Sequence, residues 1–356
     1  AAYGEKNSKY FCNLEKRHHT EKIIPKLVLC DNTEIYKQED IINETQVFYS
    51  NLYKRKKDSC SKTKFQDFTS NIENVSCKLN EVEKSICEGE ITLREALEAL
   101  KLMRNGKTPG MDGFTVEFYK YFWSDLGVFL VRSINYSYKI LRMSSSQRRS
   151  MITLIPKSNR NRWFLKNWRP ISLLGVDYKI ASSVIANRIK KVLPKIISET
   201  QKGFIKGRKL AENTRFLFDL IETMDRKNME GLLLLIDFEK AFDSLNWEFI
   251  DNSLSFFNFG SSLRQWIKIF YKDISSCILY NGHCSNYFDI ERGVRQGDPL
   301  SPYLFIIAAE ILSLKVKQSN SLRGIVINGK EFLLGQYADD TFFLLDGCDE
   351  TLGSCL

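Results

Sequence analysis

Three aspartates occupy positions at which a carboxylate is unusual. Asp237 directly follows the apolar run Leu232–Ile236, and the pair Asp339 and Asp340 interrupts a second apolar stretch. The run predicts a β-strand that is buried on both faces, and the pair predicts the tip of a β-hairpin. If the strand and the hairpin belong to one antiparallel sheet, the three carboxylates meet although they are far apart in the sequence.

Carboxylates gathered in this way indicate divalent cation chemistry. Like charges repel unless cations lie between them, and hard oxygen ligands suit Mg²⁺, which completes its shell with waters and substrate phosphates. Two such ions roughly 3.5–4 Å apart activate an attacking hydroxyl and stabilise a leaving group. An Asp-Asp pair alone has a simpler explanation, because aspartate favours turns. The combination of the pair with Asp237 therefore carries the hypothesis.

Helices and short strands are predicted around these aspartates. Thr92 is predicted as the N-cap of a helix that a glycine-rich turn ends. Asn281 and Gly282 favour the turn of a β-hairpin. The other predicted elements are helices at Asp40–Tyr53, Ile180–Leu193 and Tyr303–Lys317 and strands in "MITLIPK" and "NWRPISLL".

Basic residues indicate a polyanionic partner without identifying it. The segment "SNRNRWFLK" between the two predicted strands combines basic and aromatic side chains. Such a loop can bind phosphates while its rings stack on bases, but an exposed hairpin tip has a similar composition. The 52 Lys and Arg residues outnumber 43 Asp and Glu, which gives a net charge of +9. Solvated basic faces explain this excess as well as a nucleic-acid groove does.

The composition is that of a globular intracellular protein. A hydrophobic content of 43% in 356 residues supports a sizeable core and two subdomains. The nine cysteines include no CxxC pair, and an odd number without a secretory signal indicates reduced thiols. Cys277, His283 and Cys284 are interpreted as buried thiol and surface imidazole rather than as a metal site. No apolar run approaches the roughly 20 residues of a membrane span, so no membrane contact is predicted.

Seven segments in a fixed order resemble the motifs of reverse transcriptases of the LINE kind, the non-LTR retrotransposons. The last three are similar to the A, B and C motifs of reverse transcriptases, and the first four to finger motifs that group II intron enzymes also carry. The opening "GEKNSKYFCNLEKR" is similar to the segment before the polymerase in LINE proteins. The seven segments are "NGKTPGMDGFTVEFY", "ITLIPK", "NWRPISLL", "QKGFIKGR", "IDFEKAFDSLNWEF", "RGVRQGDPLSPYLF" and "QYADDTFFL".

The resemblance implies an α+β fold, namely the fingers and palm of a right-hand polymerase with an antiparallel palm sheet and flanking helices. Residues 1–90 would form a helical N-terminal extension, residues 91–230 the fingers, and residues 231–356 a palm that is truncated after the YADD hairpin. The thumb is expected to be missing. Without a thumb to hold the primer end, the isolated chain is expected to bind RNA and Mg²⁺ with dNTP weakly, but to extend a primer poorly or not at all.

The resemblance also implies catalytic roles for individual residues. Asp237, Asp339 and Asp340 would be the catalytic carboxylates and the ligands of two Mg²⁺ ions, for which Mn²⁺ would be a substitute. The backbone carbonyl of Phe238 would bind the metal on the nucleotide side. Phe242 matches the aromatic position under the incoming sugar, where it would exclude a 2′-hydroxyl. Its alternative is an ordinary core phenylalanine.

Further residues match nucleotide-binding and nucleic-acid-binding positions of the family. Gln296 and Gly297 would line the nucleotide site, and Arg169 and Lys157 would contact the triphosphate. Asp243 remains open between a role in the site and helix N-capping. The residues expected to contact template or primer are Arg292, Arg295, Lys206, Arg208 and Tyr337. Plain surface charge is the alternative for the two arginines beside the B motif, and a core position is the alternative for the tyrosine.

The implied function is that of an RNA-directed DNA polymerase of a non-LTR retrotransposon. It would extend a DNA 3′-hydroxyl on an RNA template by two-metal nucleotidyl transfer, in target-primed reverse transcription. Its partners would be the RNA template, the DNA primer or target, dNTPs and the element RNA, in a ribonucleoprotein of the cytoplasm and the nucleus. Two alternatives are a group II intron or retron-type reverse transcriptase and a non-catalytic RNA-binding remnant of a decayed element.

Overall fold

Helices alternate with short strands along the chain. The structure is a computed structural model that describes residues 24–29, 31–55, 62–72 and 77–355. The opening segment that resembles the stretch before LINE polymerases lies outside these residues. The mixture of helices with mainly antiparallel strands agrees with the expected α+β class.

The helices of the described residues are α1 (Gln38–Tyr53), α2 (Lys62–Thr69), α3 (Glu81–Cys87), α4 (Leu93–Leu102), α5 (Val116–Tyr121), α6 (Trp123–Lys139), α7 (Ser145–Arg148), α8 (Val176–Ile196), α9 (Leu210–Lys227), α10 (Ala241–Ser244), α11 (Trp247–Phe256), α12 (Ser261–Tyr271), α13 (Ser301–Lys317) and α14 (Asp349–Cys355). The strands are β1 (Leu27–Val28), β2 (Glu34–Ile35), β3 (Arg149–Pro156), β4 (Trp168–Leu173), β5 (Leu232–Ile236), β6 (Ser275–Tyr280), β7 (His283–Cys284), β8 (Phe288–Asp289), β9 (Ile325–Ile327), β10 (Lys330–Phe332), β11 (Leu334–Tyr337) and β12 (Asp340–Leu345).

A three-stranded sheet joins the apolar run to the acidic hairpin. β5 pairs antiparallel with β12, and β12 pairs antiparallel with β11. Ile236 lies opposite Thr341, and Tyr337 lies opposite Asp340. The residues after β5 and the turn between β11 and β12 therefore lie at the same end of the sheet. This arrangement confirms the prediction that the run and the hairpin share one antiparallel sheet.

The prediction that β5 is buried on both faces is wrong. Leu235 is 70% exposed, and Leu233 is 39% exposed. Leu234 and Ile236 pack against a small hydrophobic cluster on the other face. Within the described residues β5 is the last strand of its sheet, and no layer covers the face on which Leu235 lies. An unbroken apolar run indicates burial only where layers lie on both sides of the strand.

A second sheet contains the two strands predicted from "MITLIPK" and "NWRPISLL". β3 and β4 pair antiparallel along their length, as predicted. β3 also pairs in parallel with β6, and β6 is joined to β7 by the turn at Asn281 and Gly282. Both turn residues have a positive φ, 47° and 79°, which confirms the predicted hairpin and its turn-forming pair.

The largest hydrophobic core of the described residues surrounds α8. Tyr178, Ile185 and Ile189 of this helix are fully buried, and α3, α4, α12 and α13 pack against it. The same core includes Tyr49 and Tyr53 of α1. The described part of residues 1–90 therefore shares its core with the rest of the chain.

The predicted N-cap Thr92 begins α4 and forms a capping box with Glu95. Glu95 also accepts a hydrogen bond of 2.7 Å from the guanidinium of Arg188 on α8. Arg188 is buried and donates further hydrogen bonds to the carbonyls of Glu88, Gly89 and Glu90. Burial alone would raise the pKa of Glu95, but the hydrogen bonds from Arg188 and Thr92 outweigh it and lower the pKa to about 2. This ion pair fixes the start of α4 against α8.

Candidate active site

A cleft of about 890 Å³ lies between the end of the three-stranded sheet and the β3–β4 hairpin. Its lining brings together the three predicted carboxylates and the predicted nucleotide-binding residues, which are distant in the sequence. The predicted site residues that line it are Asp237, Phe238, Phe242, Asp339, Asp340, Lys157, Arg169, Gln296 and Gly297.

The three aspartates lie at adjacent strand ends. Asp237 follows β5, Asp340 begins β12, and Asp339 lies in the turn before it. Since Ile236 pairs with Thr341, Asp237 directly follows one member of the last pair and Asp340 directly precedes the other. The structure thus brings the three carboxylates to one end of the sheet.

The pKa of Asp339 reflects this arrangement. Burial raises the pKa of Asp339, and the carboxylates of Asp340 and Asp237 raise it further, while Arg169 acts in the opposite direction. A raised pKa means that the ionised carboxylate is disfavoured in the folded protein. Burial and the two neighbouring carboxylates therefore disfavour the ionised form, and a bound cation would offset both.

The carboxylates fit Mg²⁺ in a site that the substrate completes. Among the described residues, no three His, Cys, Asp or Glu side chains form a ready-made metal cage. Magnesium in phosphoryl-transfer sites is bound by one or two carboxylates together with substrate phosphates and waters, so a closed protein cage is not required. Asp237, Asp339 and Asp340 supply hard anionic oxygens, and the remaining ligands would come from waters and the phosphates of a ligand.

A second side of the cleft is basic. Arg169 lies on β4, Lys157 follows β3, and Arg160 and Lys166 belong to the loop between these strands. Lysine and arginine side chains bind phosphate oxygens, and carboxylates bind the cations that accompany phosphates. The cleft can therefore accept a ligand in which phosphates and divalent cations lie side by side.

The loop between β3 and β4 is anchored to the strands that carry it. The Trp168 indole donates a hydrogen bond of 2.8 Å to the Arg162 carbonyl. The Lys157 amide donates one of 2.8 Å to the Asn167 carbonyl. These contacts hold the base of the basic loop at the edge of the cleft, although its tip is exposed.

Gln296 and Gly297 lie against β4. The Ser172 amide of β4 donates a hydrogen bond of 2.7 Å to the Gln296 carbonyl. Gly297 has a φ of 109°, and a Cβ at this position would lie 2.7 Å from the Ser172 carbonyl oxygen. A residue with a side chain would therefore be strained and would clash here. The close approach that this glycine permits is to β4, which carries Arg169.

Phe242 is half-buried and lines the cleft from α10. Its ring stacks on Phe305 with a centroid distance of 4.6 Å, and the ring of Phe204 meets it edge-on at 6.4 Å. Its carbonyl accepts a hydrogen bond of 2.7 Å from the Val294 amide. Packing therefore fixes the ring in place while the residue borders the cleft.

Sequence reasoning missed Gln201, which holds the acidic turn. Gln201 is buried, and its Oε1 accepts hydrogen bonds of 2.8 Å from the amides of Ala338 and Gly203. Its Nε2 donates to the Ala338 carbonyl at 3.2 Å. Ala338 precedes Asp339 and has a φ of 57°, in the left-handed region. Gln201 is the first residue of the segment "QKGFIKGR". Its side chain is a neutral amide, so the sequence gives no charge from which its partner could be predicted.

Sequence reasoning also missed Lys240, which lines the cleft beside the carboxylates. Its ammonium lies 5.3 Å and 5.5 Å from the ring centroids of Phe48 and Tyr49 and has no hydrogen-bond partner among the described residues. Burial lowers the pKa of Lys240, Asp243 opposes this change, and Lys157 adds to it. The ammonium nitrogen is itself buried, so it adds positive charge to the wall of the cleft rather than an open contact for a ligand.

One predicted nucleic-acid contact, Arg295, is wrong because its side chain is buried, and a second, Arg208, is partly engaged inside the protein. The Arg295 guanidinium is buried over the rings of Tyr178 and Tyr271, at 4.3 Å and 5.8 Å. Arg208 donates hydrogen bonds to three backbone carbonyls, those of Ile197, Ser198 and Gln201. Arg295 is therefore not presented to a polymer, whereas Arg208 is only half-buried and its contact with template or primer stays a prediction.

The other three predicted nucleic-acid contacts lie outside the lining of the cleft. Arg292 is half-buried, and its Nε donates a hydrogen bond of 2.8 Å to the Leu52 carbonyl. Lys206 is exposed, and Tyr337 is half-buried beside the acidic turn. Their contact with template or primer stays a prediction.

The family profile described as "Reverse transcriptase (RNA-dependent DNA polymerase)" matches residues 155–356. The chain belongs to the reverse transcriptase family. The matched stretch of this reverse transcriptase includes both sides of the cleft, from the end of β3 to β12.

Relatives of the reverse transcriptase come from mobile elements. The "Transposon TX1 uncharacterized 149 kDa protein" of Xenopus laevis is 32% identical over 342 residues, which are 96% of this chain and 26% of that protein. A "Retrovirus-related Pol polyprotein from type-1 retrotransposable element R2" of Nasonia vitripennis is 27% identical over 180 residues, which are 50% of this chain and 17% of that protein. The "RNA-directed DNA polymerase from mobile element jockey" of Drosophila funebris is 25% identical over 257 residues, which are 70% of this chain and 27% of that protein.

These relatives confirm the predicted membership among the reverse transcriptases of non-LTR retrotransposons. The chain spans between 17% and 27% of the length of the three proteins. No helix in the described part of the reverse transcriptase is long and apolar enough to cross a membrane.

Proposed function

We propose that the chain is the polymerase part of a non-LTR retrotransposon protein, an RNA-directed DNA polymerase that extends a DNA 3′-end on an RNA template. The observation that supports this proposal is the division of charge in the cleft, with three carboxylates at the end of one sheet and a basic hairpin beside them. A nucleoside triphosphate with its divalent cations has the complementary distribution of charge. A dNTP is the ligand of this kind that a reverse transcriptase uses.

Each part of the cleft has a role in this proposal. Asp237, Asp339, Asp340 and the carbonyl of Phe238 would hold two Mg²⁺ ions. When bound, the ions activate the 3′-hydroxyl and stabilise the leaving pyrophosphate. Arg169 orients the triphosphate by a fixed fork of donors, and the lysines of the cleft add positive charge near the phosphates. The contribution of the protein is mainly position, because a misplacement of about 1 Å can cost a factor of about 100 in rate.

The same proposal assigns the larger elements. The β3–β4 hairpin and the helices around it correspond to the fingers, and the β11-β12-β5 sheet corresponds to the palm. The RNA template and the DNA primer would meet at the acidic turn, near Tyr337 and Lys206. In target-primed synthesis the primer would be a DNA end at the target site.

Primer extension on poly(rA)·oligo(dT) with dTTP tests the proposed function. We expect weak incorporation of dTTP that requires Mg²⁺, stops with EDTA and returns with Mn²⁺. Because extension also requires a well-held primer end, equilibrium binding of dTTP to the chain with this template and primer is measured in parallel. We expect Mg²⁺ to strengthen that binding. Binding of the RNA with no Mg²⁺-dependent binding of dTTP would contradict the polymerase proposal and favour a non-catalytic RNA-binding protein.

Phe242→Val is expected to weaken discrimination between deoxyribose and ribose. The ring is held by Phe305 at the border of the cleft, and the smaller side chain leaves space for a 2′-hydroxyl. Removal of such a steric barrier typically changes relative specificity by roughly tenfold or more. The measurement compares kcat/KM for UTP and dUTP on a poly(rA) template, with Phe129→Val on the exposed side of α6 as the control. An unchanged ratio in Phe242→Val would show that the ring serves packing alone.

A further inference from the structure

A buried polar cluster links α1 to the nucleotide side of the cleft. Asp243 is 1% exposed, and its Oδ1 accepts a hydrogen bond of 2.8 Å from the Tyr53 hydroxyl. The Gln296 amide nitrogen donates to both carboxylate oxygens of Asp243, at 3.1 Å and 3.0 Å. Asp243 lies inside α10, whose N-cap residue is Lys240, so the interpretation of Asp243 as an N-cap is wrong. Its carboxylate faces inward and connects a tyrosine of α1 to a glutamine of the cleft.

The position of Tyr53 is fixed by several contacts around the end of α1. The Glu291 amide donates a hydrogen bond of 3.0 Å to the Tyr53 carbonyl, and Arg292 binds the preceding carbonyl of Leu52. The guanidinium of Arg55 forms an ion pair with Glu248 at 3.0 Å. The end of α1 is therefore attached to the segment that leads into Gln296. Tyr53 is held on a rigid element, as a residue that orients others requires.

The chemistry of the cluster determines which way the Gln296 amide points. An ionised carboxylate only accepts hydrogen bonds, so the NH₂ end of the amide must face Asp243. The other end, Oε1, makes no hydrogen bond within the described part of the chain, and Gln296 lines the cleft. Without the carboxylate the amide could rotate by half a turn and exchange its donor and acceptor ends. Tyr53 in turn holds the carboxylate, because its hydroxyl donates to Oδ1.

We propose that Tyr53 and Asp243 are positioning residues that hold the Gln296 amide with its carbonyl oxygen available to the nucleotide, so that α1 takes part in the nucleotide site. The inference rests on the proposed function, because it takes the cleft as the place where dNTP binds. Residues 1–90 would then supply a component of the active site and not only a preceding segment.

Tyr53→Phe tests this inference with the smallest change, since it removes one hydroxyl and keeps the ring. We expect the dissociation constant of dTTP, measured with Mg²⁺ and poly(rA)·oligo(dT), to rise about threefold to tenfold, as for the loss of one hydrogen bond. Asp243→Asn should raise it by about tenfold or more, because a hydrogen bond to a charged group is lost. The control is Tyr49→Phe, which lies one turn earlier on α1. The Tyr49 side chain is fully buried, but its hydroxyl has no hydrogen-bond partner among the described residues. Its removal should leave the constant unchanged.

A double-substitution cycle separates positioning from a general effect on folding. If Tyr53 acts through Gln296, Tyr53→Phe should have no further effect on dTTP binding once Gln296 is replaced by Ala. A merely structural role would lower the thermal midpoint and weaken binding equally in both backgrounds. Equal weakening in the two backgrounds, or no weakening in either, would overturn the proposal.

The outcome for the unsubstituted protein distinguishes two kinds of failure. If the wild type shows no Mg²⁺-dependent binding of dTTP, the proposed function fails. If the wild type binds dTTP and Tyr53→Phe binds it equally well, the positioning inference alone fails.

Discussion

Asp339→Asn is expected to lower primer extension by at least about a thousandfold, since loss of a metal ligand removes several kcal/mol of transition-state stabilisation. The substitution is nearly isosteric, and the backbone of the turn stays held by Gln201 through Ala338. The measurement is single-nucleotide addition of dTTP on poly(rA)·oligo(dT) with Mg²⁺. Asp346→Asn is the matched control, because Asp346 follows β12 at the opposite end of the sheet. Comparable activity of Asp339→Asn and wild type would remove Asp339 from the catalytic group.

Asp339→Asn is expected to lower activity but to maintain or raise the stability of the folded protein. Because burial and the neighbouring carboxylates raise the pKa of Asp339 in the folded state, the ionised group disfavours folding at neutral pH. Without divalent cations, Asp339→Asn should therefore be at least as stable as the wild type at pH 7. The difference should shrink as the pH falls through the raised pKa, because the wild-type carboxyl then takes up its proton. Denaturant unfolding in EDTA at several pH values measures both points, and a clear loss of stability at pH 7 would contradict the argument.

Gln201→Ala is expected to lower both stability and activity. The truncation leaves the buried amides of Ala338 and Gly203 without their acceptor, which costs about 2 kcal/mol or more in the free energy of unfolding. It also releases the turn that carries Asp339, and a displacement of about 1 Å at a reacting centre costs about a hundredfold in rate. Denaturant unfolding and single-nucleotide addition measure the two effects.

Two further variants sharpen this prediction. Gln201→Glu keeps an acceptor for both amides but loses the donor to the Ala338 carbonyl, so it should retain more structure than activity. Gln66→Ala on the exposed surface of α2 should change neither quantity. Full activity of Gln201→Ala would show that the turn keeps its conformation without the glutamine.

The elements that the sequence predicts well are those that depend on local chemistry. The N-cap at Thr92 and the turn at Asn281 and Gly282 are set by a few adjacent residues, and both were predicted. The pairing of β5 with the acidic hairpin was also predictable, because carboxylates at strand ends need a common sheet to meet. The exposure of Leu235 was not predictable from the sequence, since the neighbours of a strand are a property of the whole fold.

In the candidate site, too, the sequence predicts the residue types but not the environment of each residue. Asp237, Asp339 and Phe242 have types and spacings that point to one chemistry, and they line one cleft. Arg295 and Arg208 were predicted to contact nucleic acid because of their charge. Charge does not reveal whether a guanidinium contacts tyrosine rings or backbone carbonyls inside the protein. Gln201 and Tyr53 were not predicted as site residues because their side chains are neutral. Their importance lies in partners that only the folded chain brings to them.

The exposed leucines of β5 affect how the chain behaves in concentrated solution. A strand edge without a neighbour is a template for another extended segment, and proteins usually guard such edges with lysine, proline or a bulge. The five residues Leu232–Ile236 include no charge and no proline. A second molecule could therefore add its own strand at this edge, which would begin aggregation from the native state rather than from the unfolded chain. Within the described residues β5 has no such local guard, so the net charge of +9 is the feature that opposes this association.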